Sequence, residues 1–512
     1  MDELIRTRLD EQGVLLAAID MPGRRMNVFS ADLIDAFDAL LDRVEGDAAV
    51  RCVVLTSAKS TFLAGADLVM VAGFSDSARV LDEAGMVKLC GRLGRVFVRL
   101  EDSAKPWVAA VNGIALGGGL ELAMACRERI VADDPRIQIG LPEVRWGLLP
   151  GAGGTQRLPR LAGFRQGLEL LLTGRSLAPQ EAVALGVFAQ AVPTGDLVES
   201  ARSRALALCG RSYDLAAKFA HLAQADVPAH SAQQVRELAR SFGIDDERFE
   251  HYPAHRAILN CVLLGARHDL AGASAIEMRE FVQLMFDPVA GNMVRSLFIN
   301  RQRADKELVA PAGVEISRLR HGALSDEWGR ALGKSGLQVA PDAALPAGTI
   351  AIEDDAGATQ EIRVADLRGA VADAQAVLSP AGEYGRALEI VGVGKGAVAV
   401  LAALAARLRA LPWPTHGASS VLAALKTAAT DRPTPATLDA QAVLALRLVD
   451  AGGIDEPVFL DVAACAASVS PAYTGGPLTW FVNHRARLLE TLEPALKQAW
   501  VRIAPKLGVG PA

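Results

Sequence analysis

Apolar and polar positions in the first third of the chain predict short β-strands that alternate with helices. Apolar runs of strand length cover residues 14–19, 52–56, 107–112 and 129–132. Helical patterns lie between them, at residues 32–44 and 83–100. Strands that alternate with helices favour an α/β fold with mostly parallel strand pairing.

The pattern changes after residue 190. Residues 191–286 are rich in Ala, Leu, Arg and Glu and predict helices. Residues 288–305 predict one further helix, with Asp287 as its N-cap and Pro288 at its first position. Scattered Gly, Pro and Ala at 306–350 indicate a boundary. Beyond it we predict strands at 349–352, 376–378 and 387–391, a helix at 396–408, and helices interrupted by prolines over 418–512.

Composition and charge exclude several classes of function. The formal net charge is −6 and the basic residues are dispersed, which argues against a nucleic-acid-binding surface. The six cysteines form no CxxC pair, so we expect reduced, mostly buried thiols. The first residues show no secretory signal. The longest apolar helical run, 396–408, is shorter than the roughly 20 residues that span a bilayer. We therefore expect a cytoplasmic protein without a membrane span.

Two segments carry candidate chemistry. The first is Phe62-Leu63-Ala64-Gly65-Ala66-Asp67. The second begins at Lys105 and includes Gly117-Gly118-Gly119-Leu120-Glu121-Leu122-Ala123, Gly140-Leu141-Pro142-Glu143 and Pro150-Gly151-Ala152-Gly153-Gly154-Thr155-Gln156-Arg157. In the second segment an apolar strand ends at Asn112, and a helix opens near Leu120. Free N–H groups at a helix N-terminus favour negative charge, including charge that develops on an oxygen during a reaction.

Glu121 and Glu143 are candidate acid and base groups. Taken alone, Glu121 could be an acid placed to suit its helix dipole, and Glu143 could form a salt bridge near Arg145. If the fold brings both beside the oxyanion site, the two carboxylates could share acid–base work. Mutual repulsion would then separate their pKa values and leave one group protonated more readily.

These motifs resemble the crotonase superfamily, and more closely the hydratase part of the multifunctional fatty-acid β-oxidation enzymes. The resemblance covers about residues 10–305. The Ala-Gly-Ala-Asp, Gly-Gly-Gly-Leu-Glu-Leu-Ala, Leu-Pro-Glu and Pro-Gly-Ala-Gly-Gly-Thr-Gln-Arg elements stand in the family's order. The resemblance implies a crotonase-type spiral of ββα units, followed by helical segments.

The resemblance also implies a role for each matching residue. The N–H groups of Ala66 and Gly118 would form the oxyanion hole that holds the thioester oxygen. Glu121 would act on the attacking water as the base, and Glu143 would deliver the proton to C2. Gly151 would help to seat the water. Ala64 would line the adenine side of coenzyme A, and Asp67 and Gly117 complete the predicted substrate-binding residues.

The implied reaction is the reversible hydration of trans-2-enoyl-CoA to 3-hydroxyacyl-CoA. It requires no metal or redox cofactor, and we expect no NAD binding. Two alternatives stay open. One is Δ3-Δ2-enoyl-CoA isomerase activity, which needs a single well-placed carboxyl group. The other is an acyl-CoA-binding scaffold subunit of a β-oxidation complex. The sequence leaves the acyl group and the oligomeric state undetermined.

The second half resembles a degenerate 3-hydroxyacyl-CoA dehydrogenase. Gly392-Val393-Gly394-Lys395-Gly396 departs from the dinucleotide fingerprint, because its third glycine comes one residue early and no acid follows at 410–419. Residues 378–380 and 387–391 are similar to the dehydrogenase segment that follows its catalytic histidine. In that alignment the position of the dehydrogenase's histidine falls on Ala376. Gly475-Gly476-Pro477-Leu478 resembles a turn in the dehydrogenase's helical domain. The resemblance implies loss of dehydrogenase activity and a scaffolding role, with a thiolase or dehydrogenase as a possible partner.

These patterns and resemblances divide the chain into five predicted regions. They are a crotonase catalytic core at 1–190, a helical extension at 191–286, a linker helix at 287–306, a truncated Rossmann-like α/β remnant at 307–415 and an all-α C-terminal domain at 416–512. No metal site is predicted. His251 and His255 have i, i+4 spacing, but Pro253 between them disfavours a helical ligand pair.

Overall fold

The chain divides into two compact units, residues 1–291 and residues 292–512. The computed structural model describes residues 4–219, 221–222, 226–307, 316–324, 328–329, 332, 337–354, 359–364, 377–380, 387–391, 404, 411–415, 421–430, 433–451, 454, 456–466 and 468–510. The division falls inside the predicted linker at 287–306. The other predicted region boundaries stay predictions.

A six-stranded sheet forms the centre of the first unit, with the strand order β1-β2-β3-β4-β6-β8. Its strands are β1 Ile5–Leu9, β2 Val14–Ile19, β3 Cys52–Ser57, β4 Trp107–Val111, β6 Glu128–Ala132 and β8 Gln190–Val192. Only β1 pairs antiparallel, with β2; the other pairs are parallel. All four predicted strands of the first third are therefore confirmed.

Apolar side chains explain why these segments form a buried sheet. Every residue of β3 and β4 is buried, as expected for parallel strands that are covered on both faces. A second, two-stranded parallel sheet pairs β5, Ala115–Leu116, with β7, Ile139–Gly140. This short sheet lies beside the turn at Gly117, because the Gly117 N–H donates to the Gly140 carbonyl at 2.9 Å.

The helices of the first unit lie between the strands and after the last of them. They are α1 Ala31–Gly46, α2 Leu68–Ser77, α3 Glu83–Cys90, α4 Arg92–Asp102, α5 Gly118–Ala125, α6 Gly154–Ala162, α7 Phe164–Thr173, α8 Pro179–Ala184, α9 Leu197–Leu208, α10 Leu215–Lys218, α11 Ala232–Ser241, α12 Asp246–His251, α13 Pro253–Gly265 and α14 Leu270–Phe286. Helix α1 buries one face through residues such as Leu33, Phe37 and Leu41, with Ser30 as its N-cap. Within the described residues, no helix is both long and apolar enough to cross a membrane.

The predicted continuous helix at 83–100 is wrong, because the structure contains two helices that meet at Gly91. The Gly91 N–H donates to the Val87 carbonyl at 3.0 Å and ends α3. A Cβ atom at Gly91 would lie 2.8 Å from Nη1 of Arg95, whose Nη2 donates to the Lys88 carbonyl at 2.8 Å. The arginine thus binds the C-terminal carbonyls of α3, where a cation is favoured.

The predicted helix at 288–305 is a succession of three helical segments. They are Pro288–Val294, a π-helical turn at Arg295–Ile299, and Asn300–Glu307. Asp287 accepts a hydrogen bond from the Val289 N–H at 2.9 Å, which agrees with its predicted capping position.

The second unit contains a seven-stranded sheet with the order β10-β9-β11-β12-β13-β14-β15. Its strands are β9 Ile316–His321, β10 Gln338–Pro341, β11 Thr349–Asp354, β12 Thr359–Val364, β13 Val377–Pro380, β14 Ala387–Val391 and β15 Leu411–Thr415. The sheet is mixed: β9–β11, β11–β12 and β13–β14 pair antiparallel. A dinucleotide-binding sheet is mostly parallel, so the Rossmann-like origin of this region stays a prediction.

Helices make up the described part of the chain after residue 420. They include Val421–Thr427, Pro435–Asp450, Pro457–Ala466, Pro477–Asn483, Arg485–Thr491 and Pro494–Ile503. Pro435 begins a helix, with Thr434 as its N-cap. Phe481 and Trp500 pack in the core of these helices with ring centroids 4.8 Å apart.

The Gly475–Gly476 turn is explained by a buried acid. The Asp461 carboxylate accepts hydrogen bonds from the N–H groups of Leu478 and Thr479 at 2.7 and 2.8 Å, at the start of the next helix. Gly476 has φ +108, and a Cβ atom there would lie 2.4 Å from Cβ of Asp461. Glycine is therefore required for the helix to approach the acid.

Gly476→Ala should destabilise the second unit by about 2–5 kcal/mol, through backbone strain and the clash with Asp461. Gly508→Ala is the control, because Gly508 also has positive φ (+73) but has nothing within 4 Å. It should cost only about 1–2 kcal/mol. Hydrogen exchange over residues 457–483 measures the difference; equal protection in the two variants would contradict the prediction.

Candidate active site

A buried asparagine, Asn27, positions the loop that contains Ala64–Asp67. Its side-chain N–H groups donate to the Phe62 and Ile19 carbonyls at 3.2 and 3.1 Å, and to the Ser57 hydroxyl at 2.9 Å. Its backbone carbonyl accepts the Ala64 N–H at 2.9 Å. The sequence analysis missed Asn27, because its role depends on contacts with three separate segments.

The start of α5 lies against this loop. A Cβ atom at Gly119 would lie 2.2 Å from the Leu63 carbonyl, so only glycine allows the helix to pack so closely. A Cβ atom at Gly65 would lie 3.9 Å from the Gly118 nitrogen. Among the described residues, neither the Ala66 nor the Gly118 N–H donates to the protein. The two amides predicted as the oxyanion hole are thus brought close together and are free to donate.

Glu121 lies in the first turn of α5 and is buried. Its Oε1 accepts the N–H groups of Ala152 and Gly154, both at 2.8 Å. These amides belong to the turn that opens α6. The Glu121 carboxylate therefore binds a second helix, which the alternative role of offsetting the dipole of its own helix does not explain. Burial raises the pKa of Glu121, and the two amides and the Arg157 charge oppose that rise.

Glu143 begins a short 3₁₀-helix, Glu143–Trp146. Its Oε2 is buried and has no hydrogen-bond partner within the described part of the chain. Arg145 does not form the alternative salt bridge, because it is exposed and donates instead to the Thr173 carbonyl at 3.3 Å. A Cβ atom at Gly117, which has φ +52, would lie 2.6 Å from Oε1 of Glu143, so glycine is required beside the carboxylate.

The two carboxyl groups differ in electrostatic environment. Burial raises the pKa of Glu143 well above its ordinary value, and repulsion from Glu121 and Glu277 raises it further. Glu121 receives two N–H donors, which favour its ionised form, whereas Glu143 Oε2 receives none. Glu143 therefore retains a proton more readily, and Glu121 is the better base.

The remaining predicted residues lie around this pair. Asp67 caps α2 by accepting the Val69 N–H at 3.0 Å and forms an ion pair with Arg24 at 2.9 Å. Gly151 packs so closely against Phe281 that a Cβ atom would lie 2.7 Å from its ring. Ala64 is held by Asn27. These contacts give Asp67 and Gly151 structural roles, and their roles in substrate binding stay predictions.

A third buried carboxylate, Glu277 of α14, was missed by the sequence analysis. It accepts the Gly153 N–H at 2.6 Å, the Thr155 N–H at 3.0 Å and the Thr155 hydroxyl. Burial, followed by repulsion from Glu121, raises the pKa of Glu277 to about 8. The only signal in the sequence is an acid between Ile276 and Met278, which does not indicate its partner.

Arg157 supports the same turn from the core. Its Nη1 donates to the Ala152 carbonyl at 2.9 Å, and its Nη2 forms a buried ion pair with Glu101 at 2.8 Å. Glu101 also accepts Lys218 at 2.8 Å, so one carboxylate is shared by two cations. This pairing keeps the pKa of Glu101 below its ordinary value despite burial, which alone would raise it.

A cavity of about 620 Å³ borders the turn. Residues of α3 and α4 form one wall, and α14 with Gly151–Gly153 forms another. Nine of its sixteen lining residues are apolar or glycine: Val87, Gly91, Gly94, Val98, Gly151, Ala152, Gly153, Ala275 and Met278. The others are polar or charged and include Arg92, Arg95 and Arg99. The apolar part of this lining suits an apolar ligand group.

Candidate metal ligands do not cluster. Within the described ranges, no group of three or more His, Cys, Asp or Glu side chains could hold a metal ion. His251 ends α12 and His255 lies in α13, which starts at Pro253. All six cysteines are free thiols, and five are buried. The Gly392–Gly396 segment and Ala376 lie outside the described residues.

Residues 10–258 match the family described as "Enoyl-CoA hydratase/isomerase". Similar curated proteins include the fatty acid oxidation complex subunit alpha of Shewanella frigidimarina, 32% identical over 326 residues, which cover 61% of this chain and 43% of the relative. That of Shewanella halifaxensis is 34% identical over 305 residues, 59% of this chain and 41% of the relative. The chain thus spans less than half the length of these relatives.

Two solved structures are also similar to parts of the chain. Pseudomonas aeruginosa DspI is 31% identical over 41% of this chain and 76% of its own, with a TM-score of 0.36. An enoyl-CoA hydratase described as putative, from Streptomyces avermitilis, is 30% identical over 47% of this chain and 84% of its own, also with a TM-score of 0.36.

Arg157→Met should lower the stability of the first unit by about 3–5 kcal/mol, because it removes one partner of a buried pair. Arg240→Met is the control: Arg240 pairs with Asp246 at 2.8 Å, but both side chains are more than half exposed. Its loss should cost less than about 1 kcal/mol. Denaturant unfolding measures both variants, and similar shifts would contradict the importance assigned to the buried pair.

Proposed function

Because residues 10–258 match the enoyl-CoA hydratase/isomerase family, we propose that this chain is an enoyl-CoA hydratase. It adds water reversibly across the double bond of a trans-2-enoyl-CoA thioester and gives 3-hydroxyacyl-CoA. The observation that carries the proposal is the environment of the two carboxyl groups. Glu121 is held by two amides, and Glu143 carries an unpartnered, buried oxygen.

The N–H groups of Ala66 and Gly118 bind the thioester oxygen in the proposed mechanism. As water attacks C3, electrons move to this oxygen and form an enolate. Donors aimed at such a developing charge each contribute about 2.7–4 kcal/mol to catalysis. Both amides are unused by the protein in the described structure, so they need not break a bond to act.

Glu121 and Glu143 then divide the proton transfers. The ionised Glu121 accepts a proton from the attacking water, and the protonated Glu143 donates a proton to C2 as the enolate collapses. The pKa directions agree with these roles, because repulsion from Glu121 raises the pKa of Glu143. Neither step requires a metal ion or NAD.

The carboxylate pair also supports hydration over the two alternatives. Double-bond isomerisation moves one proton between two carbons and needs only one carboxyl group, whereas hydration uses two. A scaffold that only bound acyl-CoA would have no use for a buried Glu121 together with a buried Oε2 of Glu143, because desolvation of a carboxyl group is costly. Hydration is therefore the function favoured by the geometry.

The cavity beside Gly151–Gly153 is the proposed acyl chamber. It borders the turn that holds Glu121, and the part of its lining formed by Gly94, Val98 and Ala152 is apolar. An acyl chain that lies there would continue from the reacting carbons past Ala152. The length of the acyl chain is then limited by α4, whose Gly94 faces the turn at Gly151–Gly153.

Dehydrogenase activity is proposed to be absent, and a thiolase or dehydrogenase is proposed to act as a separate partner. The support is the departure of residues 392–396 from a dinucleotide fingerprint and the lack of a histidine at Ala376. Incubation with 3-hydroxybutyryl-CoA and NAD tests the first point. Reduction of NAD would contradict it.

The purified chain, given crotonyl-CoA alone, should remove the enoyl absorbance without NAD or a second protein. A panel of enoyl-CoA lengths, together with a 3-enoyl-CoA, separates hydratase from isomerase activity. Binding of acyl-CoA without turnover on any member of the panel would favour the scaffold and contradict the proposal.

Glu143→Gln should lower the rate of hydration by at least about 10²-fold, because Gln cannot donate a proton to C2. The affinity for a saturated acyl-CoA should be largely preserved. Glu11→Gln, at an exposed position, is the control and should retain normal turnover. Near-normal turnover in Glu143→Gln would contradict the proposal that Glu143 donates the proton to C2.

Gly94→Leu should shorten the range of accepted substrates. A Cβ atom at Gly94 would meet Ala152 and Gly151 only at 3.8 and 3.9 Å, so the side chain fits and fills the cavity. We expect kcat/KM for dodecenoyl-CoA to fall at least about tenfold more than kcat/KM for crotonyl-CoA. Gly73→Leu, at an exposed helix position with open space, is the control. Parallel losses on both substrates would exclude the cavity as the acyl chamber.

A further inference from the structure

The four amides at the start of α6 are divided between two carboxylates. Ala152 and Gly154 donate to Glu121, and Gly153 and Thr155 donate to Glu277. Consecutive amides therefore alternate between the two acids. Because all four belong to one short stretch of backbone, a shift of the amides bound by one carboxylate moves those bound by the other.

We infer that Glu277 is a positioning residue of this active site. By binding Gly153 and Thr155, it fixes the amides of Ala152 and Gly154, which hold the Glu121 carboxylate for the attacking water. This inference rests on the proposed hydratase function. It assigns Glu277 no contact with the reacting atoms.

Three contacts fix Glu277 in place. The residue is 1% exposed, and both of its carboxylate oxygens accept hydrogen bonds. The Thr155 hydroxyl adds a further donor and itself accepts Gln156 Nε2 at 2.9 Å. Gln156 in turn donates to the Cys261 carbonyl of α13 at 3.0 Å. The acid is thus part of a connected network across three helices, which is the kind of support that catalytic side chains require.

Glu277 also acts on the catalytic pair through its charge. Above its pKa of about 8, the ionised Glu277 repels Glu143 and so favours the protonated form of that acid. The other titratable or charged groups that interact with Glu277 are Glu121, Arg157, Arg160 and Cys261. Asp38, Arg92, Arg95 and Arg99, from α1 and α4, line the same cavity. Removal of the Glu277 charge should therefore lower the pKa of Glu143.

A purely structural acid would affect stability alone, whereas a positioning residue changes kcat and the pH profile. Glu277→Gln should lower kcat by about 10–100-fold, as expected for a misplaced catalytic group, and leave KM within about threefold. The alkaline limb of the rate profile should move to lower pH, because Glu143 loses its proton more easily. The matched control is Glu280→Gln, one turn further along α14, which should keep the wild-type kcat and profile.

Thr155 provides a milder test if Glu277→Gln folds poorly. Thr155→Val removes the hydroxyl donor and keeps both carboxylates, and Thr155→Ser keeps the hydroxyl. We expect kcat to fall in Thr155→Val and to be restored in Thr155→Ser, with similar thermal unfolding of the two proteins. Equal kcat in these two variants would overturn the inference.

Carboxyl carbon NMR titration provides a measurement that does not depend on turnover. In full-length protein, the Glu143 signal should titrate at lower pH in Glu277→Gln than in wild type or Glu280→Gln. If the wild type does not hydrate any enoyl-CoA, the proposed function fails, whereas the electrostatic coupling is still measured by NMR. An unchanged Glu143 titration, or wild-type kcat with an unchanged rate profile in Glu277→Gln, would overturn the role of Glu277.

Discussion

Burial of carboxylates governs the architecture around the site. An ionised acid away from water is costly unless N–H donors or cations replace its hydration. The first unit meets this requirement with the amides that open α6 and with the shared cations of Glu101. Glu143 Oε2 is the exception, because no described group donates to it. The polar groups of the protein thus favour the ionised form of Glu121 more than that of Glu143.

Close backbone approach is the second requirement. The turn at Gly117 and the packing of Gly119 on Leu63 bring the start of α5 against the loop at Ala66. Gly117 directly follows the short strand β5, which places the start of α5 at the end of a paired strand. The Gly118 amide and Glu121 are consequently fixed by α5, whereas the Ala66 amide is fixed by the loop that Asn27 holds.

Much of the first unit could be predicted from local pattern. Apolar runs identified the four strands, and the glycine-rich and Leu-Pro-Glu elements identified the residues that the fold brings together. The break at Gly91 was missed because the helical periodicity continues across it, and only the Arg95 contact explains the stop. Asn27 and Glu277 could not be found, since each acts through partners distant in sequence. The mixed strand pairing in the sheet of the second unit could not be predicted, because it depends on long-range contacts that a single sequence does not reveal.

The bond between Gly153 and Glu277 joins residues 124 positions apart. During synthesis from the N-terminus, the turn that holds Glu121 emerges long before α14 is made. A nascent chain that has reached residue 258, where the family match ends, already contains Glu121 and Glu143 but lacks Glu277. The amides of Gly153 and Thr155 have no carboxylate partner at that stage. The hydrogen bonds that fix this turn are therefore complete only after α14 has been made.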